Sequence, residues 1–230
     1  EQAVGYHFFV LQFLVIAGVI ARSTGCDMPE SYWLRLEKMF EFLGALSEGG
    51  ECLPMFGDCD DGYVLDLGHD PHDIRQWLAV GAALYNNSDF KAWSGGYAEP
   101  VEWLPGEPGH QCFKAIPEPQ NKTITSRAFK DSGYYLLQYG KLDSPDRISV
   151  VFDCGRLGME TLAGHGHADA LSFTLRVFGR DILVDPGTYD YFSYPQWRTY
   201  FRSTRAHNTI VIDGKDQSEM LGPFLWGRRA

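Results

Sequence analysis

Two periods divide the chain. Up to about residue 105 apolar residues recur at helical spacing; beyond about residue 125 they gather in short β-branched and aromatic runs closed by Gly or Asp. The opening run, "EQAVGYHFFVLQFLVIAGVI", has no basic leader and no small-residue cleavage site, is broken by His7 and Gln12, and falls short of a span. It predicts a buried helix rather than a signal peptide or a membrane-inserted segment. In "DMPESYWLRLEKMFEFLGALSEGG" Asp27 stands where a cap would, Pro29 suits the first turn, Leu36, Met39, Phe40, Leu43 and Leu46 form the stripe, and Gly49 and Gly50 end it. In "DPHDIRQWLAVGAALY" Asp70 and Asp73 bracket Pro71 ahead of Ile74, Trp77, Leu78 and Leu84. Between these helices, "MFGDCDDGYVLDLG" places Asp58, Asp60 and Asp61 before Gly62. The fifth-position ligand and distal glutamate of a calcium loop are missing, so an ordinary acidic turn is expected.

The later segments "GYYLLQYG", "RISVVFDCG", "ALSFTLRVFG", "DILVD" and "NTIVIDG" predict strands, with Gly179-Arg180 as a two-residue hairpin. The Pro- and Gly-rich "EWLPGEPGHQCFKAIPEPQ" reads as a connection. The expected organisation is a helical domain over 1–105, a linker over 106–125 and a β domain over 126–230, an α+β chain.

Charge narrows the partners. A formal net charge of −10 over 230 residues repels polyanions, which disfavours nucleic acid and anionic membrane as general partners. An acidic substrate then needs local arginines. The five cysteines are odd in number and contain no C-x-x-C pair, which excludes a zinc knuckle and a dense disulfide framework; Cys52 and Cys59 are near enough in sequence to bridge in an oxidising compartment.

The candidate chemistry lies at strand ends. "GHGHADALSF", residues 164–173, carries His165 and His167 at the same parity, and its glycines allow close approach of the backbone to a ligand. Asp185 closes "DILVD" before "PGTY", and His207 precedes "NTIVID". Imidazole and carboxylate from three strand ends are an ordinary zinc set. The same residues also read as a hydrogen-bonded histidine pair, a turn former before Pro186 and a strand-end histidine, and spacing alone leaves both readings open. "QWRTYFRSTR" puts Arg198, Arg202 and Arg205 on one face of a short helix beside His207.

The order "GHGHADALSF", "DILVDPGTY", "FRSTRAHNTIVIDG" resembles the C-terminal β-domain of the heparinase II/III-like family of polysaccharide lyases, which includes alginate and oligoalginate lyases. "DSGYYLLQYG" and "VVFDCGRLG" resemble its first strands, and "EQAVGYHFFVLQFL" resembles a late helix of the family's (α/α) toroid. The resemblance implies the end of a toroid followed by an antiparallel β-sandwich, incomplete where the sequence stops at "FLWGRRA", and hence a fragment. It implies cleavage beside a uronic acid by β-elimination, in which the carboxylate is neutralised, a base takes the C5 proton and an acid protonates the leaving O4. His165 corresponds to the histidine of the proton chemistry, in the cleft between toroid and β-domain. His167, Asp185 and His207 correspond to the ligands of one structural zinc ion, and Tyr6, in the E-x-x-x-G-Y-H stretch, to the catalytic acid or base. A tyrosine lowered by nearby cations would serve as that base. The family's neutralising Asn and His lie upstream of the tyrosine, and Glu1 is only five residues before Tyr6. Arg202 and Arg205 are expected to contact the uronate carboxylate, and Tyr189, with Tyr191 and Tyr194, to stack on sugar rings. The implied partner is an acidic polysaccharide or oligosaccharide, and the implied location is the bacterial cell envelope or periplasm. Two further classes stay open: a non-catalytic carbohydrate-binding or structural β-module, and a zinc-dependent hydrolase with an activated water.

Overall fold

The computed structural model describes residues 2–47, 52–60, 62–66, 70, 72–119, 122–159 and 161–230; Gly49, Gly50, Asp61 and Pro71, invoked above, lie outside the described residues. The chain forms two compact units, one built from Phe8–Leu53 and Tyr63–Lys122, the other from the first seven residues, Pro54–Gly62 and Thr123–Ala230.

The first unit is helical. Its elements are α1 (Val4–Ser23, whose first turn is counted with the second unit), α2 (Glu30–Leu46), α3 (Ile74–Tyr85), α4 (Ser88–Ser94), α5 (Pro100–Trp103) and α6 (Gly106–Ala115). Contrary to the expectation of a short run, α1 is long and apolar enough, by length and composition, to cross a membrane; 33% of its most apolar window is buried. Helix α3 is buried nearly all round and touches α2, α4, α5 and α6, as its continuous apolar composition requires. Small residues make that packing possible: a Cβ on Gly81 would lie 2.8 Å from the Phe40 ring, and one on Gly44 would lie 2.2 Å from Trp93. Asp73 caps α3 by accepting from the Arg75 amide, and Asp70 accepts from the His72 amide. Asp27 does not cap α2; it accepts from Met28 N and Trp33 Nε1, while Pro29 occupies the cap position.

Residues 106–115, expected as linker, are helix α6. Pro105 precedes its first turn and Pro108 lies within it, where a missing N–H leaves no intrahelical bond unmade, and Gly109 lets the turn close on the Pro105 ring. The prolines therefore start a helix instead of breaking one.

The second unit carries a five-stranded antiparallel meander in sequence order: β1 (Arg127–Phe129), β2 (Tyr134–Tyr139), β3 (Ile148–Asp153), β4 (Phe173–Val177) and β5 (Arg180–Leu183). Leu136 pairs with Val151 on the buried face, whereas Tyr135, Leu137 and Tyr139 point outward. Then come α7 (Pro195–Phe201), a 3₁₀ turn at Thr204–Ala206, and a separate ribbon of β6 (Met220–Gly222) and β7 (Leu225–Trp226). Helices with an antiparallel sheet make the chain α+β.

Two strand expectations change. The hairpin between β4 and β5 turns on Phe178 and Gly179, both at positive φ (55° and 71°), with Val177 opposite Arg180, so the turn lies one residue earlier than Gly179-Arg180. "NTIVIDG" forms no strand, only an isolated bridge between Ile212 and Lys215. Ile210 and Ile212 are 68% and 71% exposed, and among the described residues no strand pairs with theirs; β-propensity without a partner does not make a ladder. Asn208 and Thr209 are instead spent on carbonyls of Phe173, Val184 and Ala170. Cys52, expected as a possible bridge partner, is a free thiol, as are Cys26, Cys112 and Cys154.

The hairpin yields a stability prediction. Phe178→Asn places at a left-handed, exposed turn position a residue that tolerates it, and should stabilise the protein by about 0.5–1 kcal/mol in chemical denaturation. A loss of stability would show that the Phe178 ring contributes packing.

Candidate active site

The site is organised by Asp58, in the segment expected to be an ordinary acidic turn. Its side chain is fully buried. Gly57, at φ 71°, lets the chain pass so close to the 164–167 loop that a Cβ there would lie 2.9 Å from the His165 carbonyl, and the Asp58 amide donates to that carbonyl at 2.9 Å. The Asp58 carboxylate then meets four side chains. Arg198 of α7 forms a two-pronged pair with it, Nη1 on Oδ1 and Nη2 on Oδ2 at 2.6 Å. His167 Nε2 lies 2.9 Å from Oδ1, His165 Nδ1 3.2 Å from Oδ2, and Thr188 Oγ1 3.4 Å from Oδ1. Burial opposes ionisation, but the His167 and Arg198 hydrogen bonds outweigh it and hold Asp58 far below the usual carboxylate range.

The two histidines thus face one carboxylate, as their shared parity implied, although the backbone between Gly164 and Ala170 is irregular and not a strand. Gly166 serves the protein's own packing: a Cβ there would lie 2.8 Å from the Gly158 amide. The Ala168 amide donates to the Arg202 carbonyl, tying the loop to the end of α7.

His167 also belongs to a group able to hold a metal. His167, Asp169 and His207, all buried, offer ligand atoms within 4.8 Å of one another. His167 Nδ1 and His207 Nε2 are buried without a hydrogen-bond partner among the described residues. Two orphaned imidazole nitrogens beside a carboxylate fit a divalent ion of zinc's type. The carboxylate in this group is Asp169 and not the expected Asp185. Asp185 instead meets the other nitrogen of the His207 ring, its Oδ2 2.8 Å from Nδ1, while its Oδ1 accepts the Gly187 amide in the P-G turn. That is the arrangement by which an outer carboxylate orients a metal-binding imidazole. Burial lowers His167 below the ordinary imidazole range and pushes Asp169 well above the carboxylate range; at His207 burial is outweighed by the Asp185 bond, and the net shift is upward. A small cavity of about 20 Å³, lined by Asp153, His167, Asp169 and Ser218 among others, lies beside this group.

Tyr6, in the first turn of α1, stands against His165 with ring centroids 4.2 Å apart. Its hydroxyl is 2.9 Å from the Tyr191 hydroxyl and 3.4 Å from Asp60 Oδ2. Burial raises its pKa, Asp60 and Asp58 add to the rise, and the Tyr191 bond only partly opposes it. The cation-lowered tyrosine expected above is therefore not what the structure holds; Tyr6 keeps its proton at neutral pH. Tyr191 and Phe224 complete the surroundings, Phe224 5.8 Å from the His165 ring.

The three arginines separate. Arg198 is consumed by Asp58 and Pro223 O, between the Tyr191 and Phe224 rings. Arg202, an expected substrate contact, is buried over the Trp226 ring with Nη1 on Gly222 O, and burial holds its pKa down to about 10. It packs the second unit and has no access to a ligand. Arg205 is exposed, with Nη2 on Gly214 O, and Tyr189 is exposed and stacked on Phe201. Three residues gathered here had no site role in the sequence reading: Asp58 was taken for an ordinary turn acid, Arg198 for one of three arginines on a helix face, and Asp169 only for the acid that follows the two histidines. Only the last carried a local signal, its place in the H-x-H-x-D run.

Residues 121–230 match the family model described as heparinase II/III-like, C-terminal. The fold is similar to that of a heparinase III gene product (TM-score 0.71, 21% identity, 94% of this chain and 30% of that one). It is also similar to a heparan sulfate lyase from Pedobacter heparinus (TM-score 0.67, 21% identity, 94% and 30%) and to a heparinase III (TM-score 0.66, 18% identity, 94% and 32%). The chain thus spans about a third of the length of these structures. A search of curated protein sequences found no match.

Arg198→Met and Arg202→Met should differ sharply in urea unfolding. The first leaves a buried carboxylate without its cation and should cost about 3–5 kcal/mol; the second exchanges a poorly satisfied buried cation for an apolar chain of similar length and should stay within about 1 kcal/mol of wild type. Equal losses would contradict the distinction.

Proposed function

The chain belongs, through residues 121–230, to the heparinase II/III-like family, and from that premise we propose that it is part of a polysaccharide lyase cleaving uronic-acid-containing acidic polysaccharides by β-elimination. The observation that carries this reading is the Tyr6–His165 pair, a protonated phenol and an imidazole with rings 4.2 Å apart on a shared, half-buried surface. β-Elimination needs one group to take a proton from C5 and one to give a proton to O4. His165, steered through Nδ1 by Asp58, presents Nε2 as the base. Tyr6, kept protonated by burial and its acidic neighbours, is the donor to O4. The C5–H pair becomes the C4=C5 double bond as the C4–O4 bond breaks, and the Tyr191 hydroxyl hydrogen-bonds the tyrosinate formed. Transfer of the proton from His165 to Tyr6 restores both groups.

Arg198 does not neutralise the substrate carboxylate, because its charge is matched by Asp58. Arg205 and Tyr189 are the proposed substrate contacts, both open to solvent. Zinc is the proposed resident metal, with His167 and His207 as imidazole ligands and Asp169 and Asp185 as the adjacent carboxylates. Bound there, it would cross-link the 164–169 loop to the segment at His207 and supply rigidity. The helical unit as the end of an (α/α) toroid, and the meander as part of a β-sandwich, belong to the same proposal, the latter supported by the outward Tyr135, Leu137 and Tyr139. So does placement in the bacterial cell envelope.

The test is incubation of the full-length protein with heparan sulfate, alginate and hyaluronan while following the ultraviolet absorbance of an unsaturated uronate. Tyr6→Phe and His165→Ala should each lower turnover by at least about 10²-fold. Cleavage without the chromophore would establish a hydrolase, and binding without cleavage a carbohydrate-binding module.

Metal analysis provides a separate check. Protein purified without chelator should carry one zinc per chain; His167→Ala and His207→Ala should lose the metal and melt at lower temperature, whereas His165→Ala should keep both zinc and melting temperature. Well-folded protein free of metal would overturn the assignment.

A further inference from the structure

We infer that Asp58 is a positioning residue that imposes opposite tautomers on the two histidines of the H-x-H run. An ionised carboxylate can only accept hydrogen bonds, so each imidazole nitrogen facing it must carry the proton. The nitrogens facing Asp58 differ: Nδ1 of His165 at 3.2 Å and Nε2 of His167 at 2.9 Å. His165 is therefore the Nδ1–H form with its lone pair on Nε2, and His167 is the Nε2–H form with its lone pair on Nδ1. The orphaned nitrogen of His167 is that Nδ1, which leaves it available to a metal shared with His207 and Asp169. One carboxylate thus turns the lone pair of the first histidine outward beside Tyr6 and that of the second inward toward His207 and Asp169.

The remaining contacts make Asp58 suited to this task. The Arg198 fork supplies the cation that keeps a fully buried carboxylate ionised, and Thr188 Oγ1, which accepts from the Cys59 amide at 2.6 Å, anchors the segment. Both oxygens are occupied, so the carboxylate cannot rotate without giving up a partner.

The inference deepens the lyase reading and rests on it for the role of His165, so its test has an arm independent of activity. Long-range proton–nitrogen spectra of the full chain labelled with [15N]histidine, taken at a pH of about 8.5, above the ordinary imidazole range, report the tautomer of each ring. The expected result is His165 protonated on Nδ1 and His167 on Nε2. Finding His165 protonated on Nε2 overturns the inference, and this reading needs no variant to fold. In the kinetic arm, Asp58→Asn should lower kcat on a uronate polymer by about 10²-fold with KM within a few-fold of wild type. In a His165→Ala background the same change should slow the enzyme no further, because Asp58 acts through His165. A further loss of the same size in that background would mean that Asp58 acts independently of His165 and overturns the positioning role. If wild type forms no unsaturated uronate from any polymer, the lyase reading fails while the spectra still decide the tautomers.

Discussion

Burying an ionised carboxylate in a protein costs several kcal/mol unless its charge and its lone pairs are met, and Asp58 is fully buried. The structure of the second unit follows from meeting that demand. Arg198 has to come from α7, His165 and His167 from the loop before β4, and Thr188 from the turn after β5. Three stretches, lying up to 140 residues away along the chain, are drawn to one side chain. Gly57 makes the meeting possible, since any Cβ there would strike the His165 carbonyl and Ala3. The convergence is long-range and charge-driven, and removing the Arg198 cation would leave a buried charge without its match.

The same logic sorts residues that look alike. Arg198, Arg202 and Arg205 share a helical period, yet one is paired in a two-pronged fork, one is buried over an indole and one faces solvent. Helical spacing fails to group them because α7 ends at Phe201 and a 3₁₀ turn follows, which rotates Arg205 away from the stripe. Asp169 and Asp185 diverge likewise. Asp185 is held in a turn, with one oxygen on the Gly187 amide and the other on His207, whereas Asp169 is buried next to the orphaned nitrogens.

Around this frame the chemistry of the site is asymmetric. His165 touches both the Asp58 hub and Tyr6, while His167 is sealed inside. Tyr6 sits among acids and another hydroxyl in a half-buried place, so its proton is held rather than released. Whether a tyrosine holds or releases its proton is set by field and burial, not by residue type.

Much of this was legible in one dimension. The helical and extended periods located α1 to α3 and β2 to β5, because those elements bury one face and the burial period is written in the side chains. The H-x-H run, with Asp185 and His207 at later segment ends, marked the residues that do gather in the second unit. Where propensity needs a partner it misled: "NTIVIDG" has the composition of a strand but pairs with no strand among the described residues, and the prolines near residue 106 mark a helix start. Asp58 was invisible altogether, because an acid before Cys-Asp-Asp-Gly has the local character of a solvated turn and nothing within ten residues reveals a guanidinium 140 positions away. Local steric and burial preferences act over a few residues and can be read from the chain. The protonation state of Tyr6, the tautomers of the histidines and the fate of each arginine depend on charges brought together by folding, and only the tertiary structure contains them.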